Sequence, residues 1–216
     1  MKSTLLNMTA VLFGITLVAS AGVGYVNMIT VEPIARAEQA AKLEALNGVL
    51  PAFDQTTTAE FTIDELPVAV HTAVQGGATV GYAVETISKQ GFGGEIRLMV
   101  GFTPAGEVIN VSVLRQTETP GLGTKMADED NSLIRSVRGQ RLEGKKLVGG
   151  KLAVRKDGGD VDALTAATIS SRAYVDAINR AWMAFRNVAA QAEPADGTTG
   201  ATRTNEPEAQ EGGENE

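Results

Sequence analysis

The run Ile96-Arg97-Leu98-Met99-Val100-Gly101-Phe102-Thr103-Pro104-Ala105-Gly106-Glu107-Val108-Ile109-Asn110-Val111-Ser112-Val113 decides the fold class. Ile96, Leu98, Val100 and Phe102 alternate with polar or small residues. Ile109, Val111 and Val113 alternate again after Pro104-Ala105-Gly106. A strand sends successive side chains to opposite faces, so two such runs about a Pro/Gly turn predict an antiparallel hairpin with one buried face. Working outward, Thr79–Ile87 and Leu147–Val154 read as further strands, and Phe61–Leu66 and Val68–Val74 as short strand-like pieces around Pro67. Gly91-Phe92-Gly93-Gly94, just ahead of the hairpin, lacks the spacing and helical follow-on of a dinucleotide fingerprint. It reads as a flexible entry to the strand.

Beyond the sheet, Ile178, Ala181, Trp182 and Phe185 recur at spacings of three and four, predicting an amphipathic helix from about Ile169 to Asn187. Immediately before it, Val161-Asp162-Ala163-Leu164-Thr165-Ala166-Ala167-Thr168-Ile169-Ser170-Ser171 crowds Thr and Ser hydroxyls and one carboxylate among small residues. The cluster falls at the helix N-terminus, where unpaired backbone N–H groups and the positive end of the macrodipole favour a phosphate. Thr165, Thr168 or Ser170 acting as a plain helix cap is the commonest use of such residues. The residues alone leave both readings open. Asp128–Val137, with Leu133, Ile134 and Val137 on one side, predicts a short helix. Residues 34–50, rich in Ala, Glu, Lys and Leu, predict a juxtamembrane helix ending near Asn47-Gly48, before Pro51 and Asp54 break the pattern. The fold class expected is α+β, a largely antiparallel sheet with flanking helices behind one N-terminal transmembrane helix.

Composition sets bounds on function. The chain has 216 residues, enough for one modest domain with appendages, and a net charge of −7. That balance argues against nucleic acid as a partner, which needs a basic face. There is no Cys, which removes a disulfide frame and a Cys-ligated metal site. His71 is the single histidine and, in an apolar-flanked segment, reads as structural rather than as a ligand. Gly139-Gln140-Arg141-Leu142-Glu143-Gly144-Lys145-Lys146 nearly matches a phosphate-binding loop, but Lys146 replaces the metal-holding Ser/Thr and a helix precedes it where a strand should. ATP binding is rejected.

No charged residue occurs from Ser3 to Val31, and the apolar run Leu5–Ile29 exceeds the roughly 20 residues a helix needs to cross the hydrocarbon core. Ala19-Ser20-Ala21 resembles a signal-peptide cleavage site, but the run continues through Val23, Tyr25, Val26, Met28 and Ile29, which favours a retained anchor in lipid. Gly14, Ala19, Ser20, Gly22 and Gly24 also suit close helix packing in a membrane. Lys2 and the amino terminus against Glu32 place the N-terminus in the cytoplasm and the globular part outside. At the other end, residues 190–216 hold seven acids against the single base Arg203, which is nearly the whole net charge. With few apolar side chains this segment is expected to be a disordered acidic tail.

Two motifs carry a resemblance. Asp162-x-x-Thr165-Ala166-Ala167-Thr168 resembles the D-x-x-[ST]-G-A-[ST] flavinylation motif of the FMN-binding domain family. That family is shared by the G subunit of the Rnf electron-transport complex and the C subunit of the Na⁺-translocating NADH:quinone reductase. One departure is Ala166, which stands where Gly is usual; a methyl there is tolerated at φ < 0 and strained at φ > 0. Upstream, Glu118-Thr119-Pro120-Gly121-Leu122-Gly123 resembles the family's second hallmark. As an isolated hexapeptide it reads as a rigid type II turn. The resemblance implies FMN joined as a phosphoester to Thr168 by a dedicated flavin transferase, with Asp162 assisting attachment and Leu164, Thr165 and Ala167 beside it. It implies that Glu118, Thr119, Gly121, Leu122 and Gly123 lie against the flavin, with Glu118 and Thr119 bonding the isoalloxazine edge.

The domain layout expected is an anchor over 1–31, a juxtamembrane helix and connecting segment over 32–78, the FMN-binding domain over 79–189 and the tail over 190–216. The resemblance further implies an electron-relay subunit, without a complete active site of its own. It would sit as a single-pass protein of the bacterial inner membrane, in a complex coupling ferredoxin/NAD⁺ electron transfer to Na⁺ or H⁺ movement. Other membrane and peripheral subunits of that complex would be its partners. The quinone-reductase subunit, a stand-alone anchored flavoprotein and a cofactor-free anchored binding module are the competing readings.

Overall fold

A computed structural model describes residues 5–192. In chain order these form α1 (Leu5–Val49), β1 (Gln55–Ile63), β2 (Leu66–Gln75), β3 (Ala78–Ser88), β4 (Ile96–Phe102), β5 (Val108–Arg115), α2 (Ser132–Val137), the short strands β6 (Leu147–Val148) and β7 (Lys151–Leu152), and α3 (Thr168–Ala192). The first five strands form a meander in the order β1-β2-β3-β4-β5, antiparallel throughout. Two-residue turns with both φ values positive join the first three strands: Asp64 (50°) and Glu65 (62°), then Gly76 (58°) and Gly77 (84°). Such turns match the right-handed twist of the strands they connect. The sheet therefore begins at Gln55, so strand pieces expected in the connecting segment belong to the same sheet as the central hairpin.

The hairpin is β4–β5, and it buries both faces rather than the expected one. Ile96, Leu98, Val100 and Phe102 lie in the core under α3, while Met99 lies with Ala45, Leu46 and Val49 of α1 and the following Leu50 on the opposite side. The sequence pattern misses this because the end of α1 folds back as a cover. Gly101 makes the approach possible, since a Cβ there would stand 1.9 Å from the Val49 carbonyl oxygen. A second difference lies in β5. Gly101 pairs with Asn110 and Phe102 with Val108, leaving Ile109 as the extra residue of a β-bulge. The bulge shifts the facing by one residue, so Val108 rather than Ile109 joins Val111 and Val113 over the main core.

Helix α3 covers that core. Ala173, Tyr174, Ala177, Ile178, Ala181, Trp182 and Phe185 are all buried, which matches the three-and-four spacing. Phe185 stacks on Phe102 with centroids 4.9 Å apart and meets Tyr82 edge-on at 5.3 Å. Each buried side chain of this size contributes about 1.5–3 kcal/mol. The short helix α2 starts at the Asn131 cap, whose side chain accepts from the Ile134 N–H at 3.0 Å. The strand expected over Leu147–Val154 is broken by Gly149-Gly150 into the β6–β7 hairpin.

The separate anchor and juxtamembrane helix of the sequence reading are one continuous helix, with Pro33 inside it. Proline removes the N–H that would bond the Ile29 carbonyl. Pro33 directly follows the last apolar residues, beside the exposed Glu32–Arg36 pair, where water can satisfy that carbonyl. By length and composition α1 is able to cross a membrane, and the apolar window contains no buried residue. Past the apolar stretch, Lys42 pairs with Glu85 at 3.0 Å and ties the helix to β3. At the other end α3 continues to Ala192; the rest of the expected acidic tail lies outside the described residues.

Candidate functional site

The turn leading into α3 is held from within the motif. Ser171 Oγ accepts from the Leu164 N–H at 2.9 Å and donates to the Ala167 carbonyl at 2.8 Å, closing the loop Leu164–Ala167 onto the helix. Ala167 N–H donates to the Leu164 carbonyl at 3.2 Å. This tight turn sets Ala166 at φ +59°, in the left-handed region. The methyl at this position is thus carried in the strained conformation. Such backbone costs a non-glycine residue about 1–2 kcal/mol, and comparable strain recurs at ligand sites.

The two motifs meet at this helix end. A half-open cavity of about 340 Å³ is lined by Phe92, Thr119, Leu122, Gly123, Ala166, Ala167, Thr168, Ile169 and Ser170. It joins the glycine-rich entry, the Glu118–Gly123 turn and the first residues of α3. Phe92, Leu122 and Ile169 are 68%, 40% and 47% exposed, and with Val148 they are the exposed large hydrophobic residues of the described chain beyond α1. Three of those four thus rim one cavity, an apolar surface that a flat ring would cover. Larger clefts of about 630 Å³ beside α1 and β5, and about 510 Å³ over β1–β3, contain no residue of either motif.

Glu118 braces the cavity from behind. It is 4% exposed; its Oε1 accepts from the Gly93 N–H at 3.0 Å, and its Oε2 takes a short hydrogen bond from the Ser170 hydroxyl. One buried carboxylate therefore ties all three segments together. The glycines allow it: a Cβ on Gly93 would lie 1.8 Å from the Thr117 carbonyl oxygen. One on Gly123 would lie 2.6 Å from Ser170 Oγ. Thr124 Oγ1 accepts from the Gly121 N–H at 2.9 Å and fixes the turn, with Gly121 at φ +74°.

The helix end itself is uncapped. Ala167 O accepts the first helical bond, from Ser171 N–H at 3.0 Å. Among the described residues no hydrogen bond takes the backbone N–H of Thr168, Ile169 or Ser170, and none of the three candidate capping hydroxyls points back to them. The simple capping alternative is not what these hydroxyls do. Three donors at the positive end of a long helix are left without a protein partner among the described residues, the arrangement that suits an anionic group.

Of the residues expected at the site, Thr168, Ala167, Thr119, Leu122 and Gly123 line the cavity. Glu118, Gly121, Leu164 and Thr165 stand outside the lining. Glu118 is engaged with the protein rather than turned toward a ligand edge. Asp162 is also placed differently: its carboxylate pairs with Arg155 at 2.5 Å and its N–H donates to Ser136 Oγ at 3.0 Å, with no bond to Thr168. The group that does reach the Thr168 hydroxyl is Lys156 Nζ, which donates to Oγ1 at 3.0 Å. In the sequence Lys156 reads as a turn residue and Phe92 as part of a glycine loop. Only the fold brings them to the site.

These features coincide with known proteins. Residues 91–183 match the FMN-binding domain family, running from the glycine-rich entry to α3. The fold is that of an FMN-binding domain. Over 191 residues the chain is 34% identical to the G subunit of the ion-translocating oxidoreductase complex of Shewanella loihica, covering 83% of this chain and 89% of that one. The Shewanella baltica protein of the same name is 33% identical over 204 residues, 88% and 94% of the two chains. That of Vibrio cholerae serotype O1 is 36% identical over 162 residues, 71% and 77%. The chain belongs to the family of G subunits of ion-translocating oxidoreductase complexes.

Proposed function

We propose that this chain is an electron-carrying subunit of a membrane complex, with FMN attached through its phosphate to Thr168. The observation that carries the reading is the meeting of two motifs, far apart in sequence, in one apolar-rimmed cavity at a helix end whose donors are unclaimed. The residues fit the group. Phe92, Leu122 and Ile169 offer the apolar wall for a ring system, and the Thr168 hydroxyl stands where a phosphoester would begin. The unpaired N–H groups at the start of the same helix would favour the anion it carries. Bound flavin supplies the ability to accept and pass on electrons, a chemistry the side chains of this cavity lack. The protein's part is to hold and orient. Glu118 keeps the three segments in register, and Thr168 serves as a tether rather than as a reactant in turnover.

The rest of the assignment follows the relatives, named as subunits of an ion-translocating oxidoreductase complex. The chain would sit in the bacterial inner membrane on α1, with its N-terminus cytoplasmic and its domain on the outer side. A flavin transferase would load it, and other subunits would supply ferredoxin and NAD⁺ sites and the Na⁺ or H⁺ path. The resemblance to these G subunits favours this reading over the quinone-reductase C subunit. The anchor is proposed over 1–31, within the longer helix, and the sheet from Gln55 onward is counted in the flavin-carrying body.

Thr168→Ala tests the link. With the transferase co-expressed, the native chain should fluoresce on a denaturing gel under ultraviolet light. Its peptide containing Thr168 should be heavier by FMN less water. The variant should be folded and dark. Bright, denaturation-resistant fluorescence in Thr168→Ala would refute the assignment.

A further inference from the structure

Three consecutive residues, Arg155, Lys156 and Asp157, form a single 3-10 turn closed by Gly158 at φ +91°. Each grips a different part of the loop-to-helix segment. Arg155 Nε meets Asp162 Oδ1 at 2.5 Å. Lys156 Nζ donates to Thr168 Oγ1 at 3.0 Å. Asp157 takes both arms of Arg172, from Nε at 2.7 Å and Nη2 at 2.6 Å. The outer two contacts clamp the turn to the stretch before the helix and to its second turn, leaving the middle lysine aimed at the threonine hydroxyl. A paired fork of this kind fixes geometry as well as charge. It also holds the Asp157 carboxyl below the usual carboxylate range, through the hydrogen bond from Arg172 first and its charge after that.

We infer that Lys156 is the phosphate-holding cation of the Thr168 site, positioned by the Arg155–Asp162 and Asp157–Arg172 pairs on either side. The inference rests on the reading of Thr168 as the attachment point and adds the residue that meets the charge. Any phosphoryl group bonded to Thr168 Oγ1 brings its anionic oxygens within reach of an ammonium 3.0 Å from that atom. Thr168, Ile169 and Ser170 supply backbone N–H groups from the helix side, so the anion would be held between a helix end and a lysine. Asp162 then acts at one remove: it anchors Arg155, hence the turn, and does not itself approach the hydroxyl. The role is electrostatic: Lys156 draws the incoming anionic phosphoryl group to Thr168 and holds it there, without itself forming or breaking a bond.

The test is a time course of covalent loading in the full-length chain co-expressed with its flavin transferase, read by in-gel fluorescence and by the mass of the Thr168 peptide. Lys156→Met keeps the shape and removes the charge; Lys156→Arg keeps the charge and alters the shape; Lys156→Glu reverses it. A charge-assisted contact of this kind corresponds to about a tenfold change in rate. Loading is expected to follow charge, with arginine near the native rate, methionine about tenfold slower and glutamate slower still. Since Lys156 is exposed, all three should fold, as their thermal melts would verify. Methionine loading at the native rate, or arginine as slow as methionine, overturns the inference while leaving Thr168 as the attachment point. A native chain with bare Thr168 overturns both.

Discussion

Ala166 shows how much one methyl can weigh at this site. The turn that offers Thr168 to the cavity needs a left-handed residue, and the chain fills it with alanine at φ +59°. The strain is about 1–2 kcal/mol, offset by the extra freedom that a glycine would have in the unfolded chain. Ala166→Gly should therefore stabilise the folded protein by about 0.5–1 kcal/mol net, with no loss of flavin loading. A higher midpoint in denaturant melts of detergent-solubilised protein would bear this out; a lower one would mean that Ala166 makes a compensating contact. This residue is legible in the sequence, because the motif calls for glycine there and the penalty depends only on the sign of φ. Lys156 is not. Its partner lies twelve positions away, and nothing in the local pattern distinguishes it from the solvated lysines around it.

At the scale of elements, the hairpin and α3 can be read from periodicity, whereas their facing cannot. Period-2 alternation locates β4 and β5, but the bulge at Ile109 is a matter of pairing register, which has no local signature. Likewise Gly93 reads as part of a flexible strand entry and Gly123 as part of a rigid turn, until the fold shows backbone and side chains within contact distance of their missing methyls. His71 yields a prediction at this scale. It bridges β1 and β2 through Thr58 Oγ1, 2.8 Å from Nδ1, which supports its reading as a structural residue. Burial is the main cause that lowers its pKa from the ordinary 6.5; Glu85 opposes the shift and Lys42 adds to it. A base with a depressed folded value is held neutral by the fold, so the unfolded chain binds more protons below pH 6.5. Its stabilising share is complete above that pH and declines as pH falls through 6.5 toward the folded value. The denaturation midpoint should drop between about pH 7.5 and about pH 5.5 by more in the native protein than in His71→Gln. Equal drops would remove His71 from the account.

For the whole molecule, the main division falls further along α1 than composition suggests. The charge-free stretch falls in a helix long and apolar enough to cross a membrane, but composition gives no sign that Ala45, Leu46, Val49 and Leu50 belong to the body of the protein. They seal Ala73, Ala83 and Met99 on the back of the sheet. A chain shortened to begin at Glu32 should fold and accept flavin without detergent. One shortened to begin at Ala52 uncovers that face and should aggregate or melt at lower temperature. Equal stability of the two, measured by thermal melts and size-exclusion chromatography, would show that the back face needs no cover.

The uninterrupted helix acts as a mast. From Ile34 onward it already runs beside the sheet: Ile34, Ala37, Glu38 and Ala41 line one cleft with Leu114 and Arg115, and Ala45 is its first buried residue. Because its top is locked into the sheet by packing and by the Lys42–Glu85 pair, the domain has little freedom to swing on a tether. Electron tunnelling falls steeply with separation, so a redox group on a body held this way would keep a fixed position relative to the helix. Whatever exchanges electrons with it would have to meet it there.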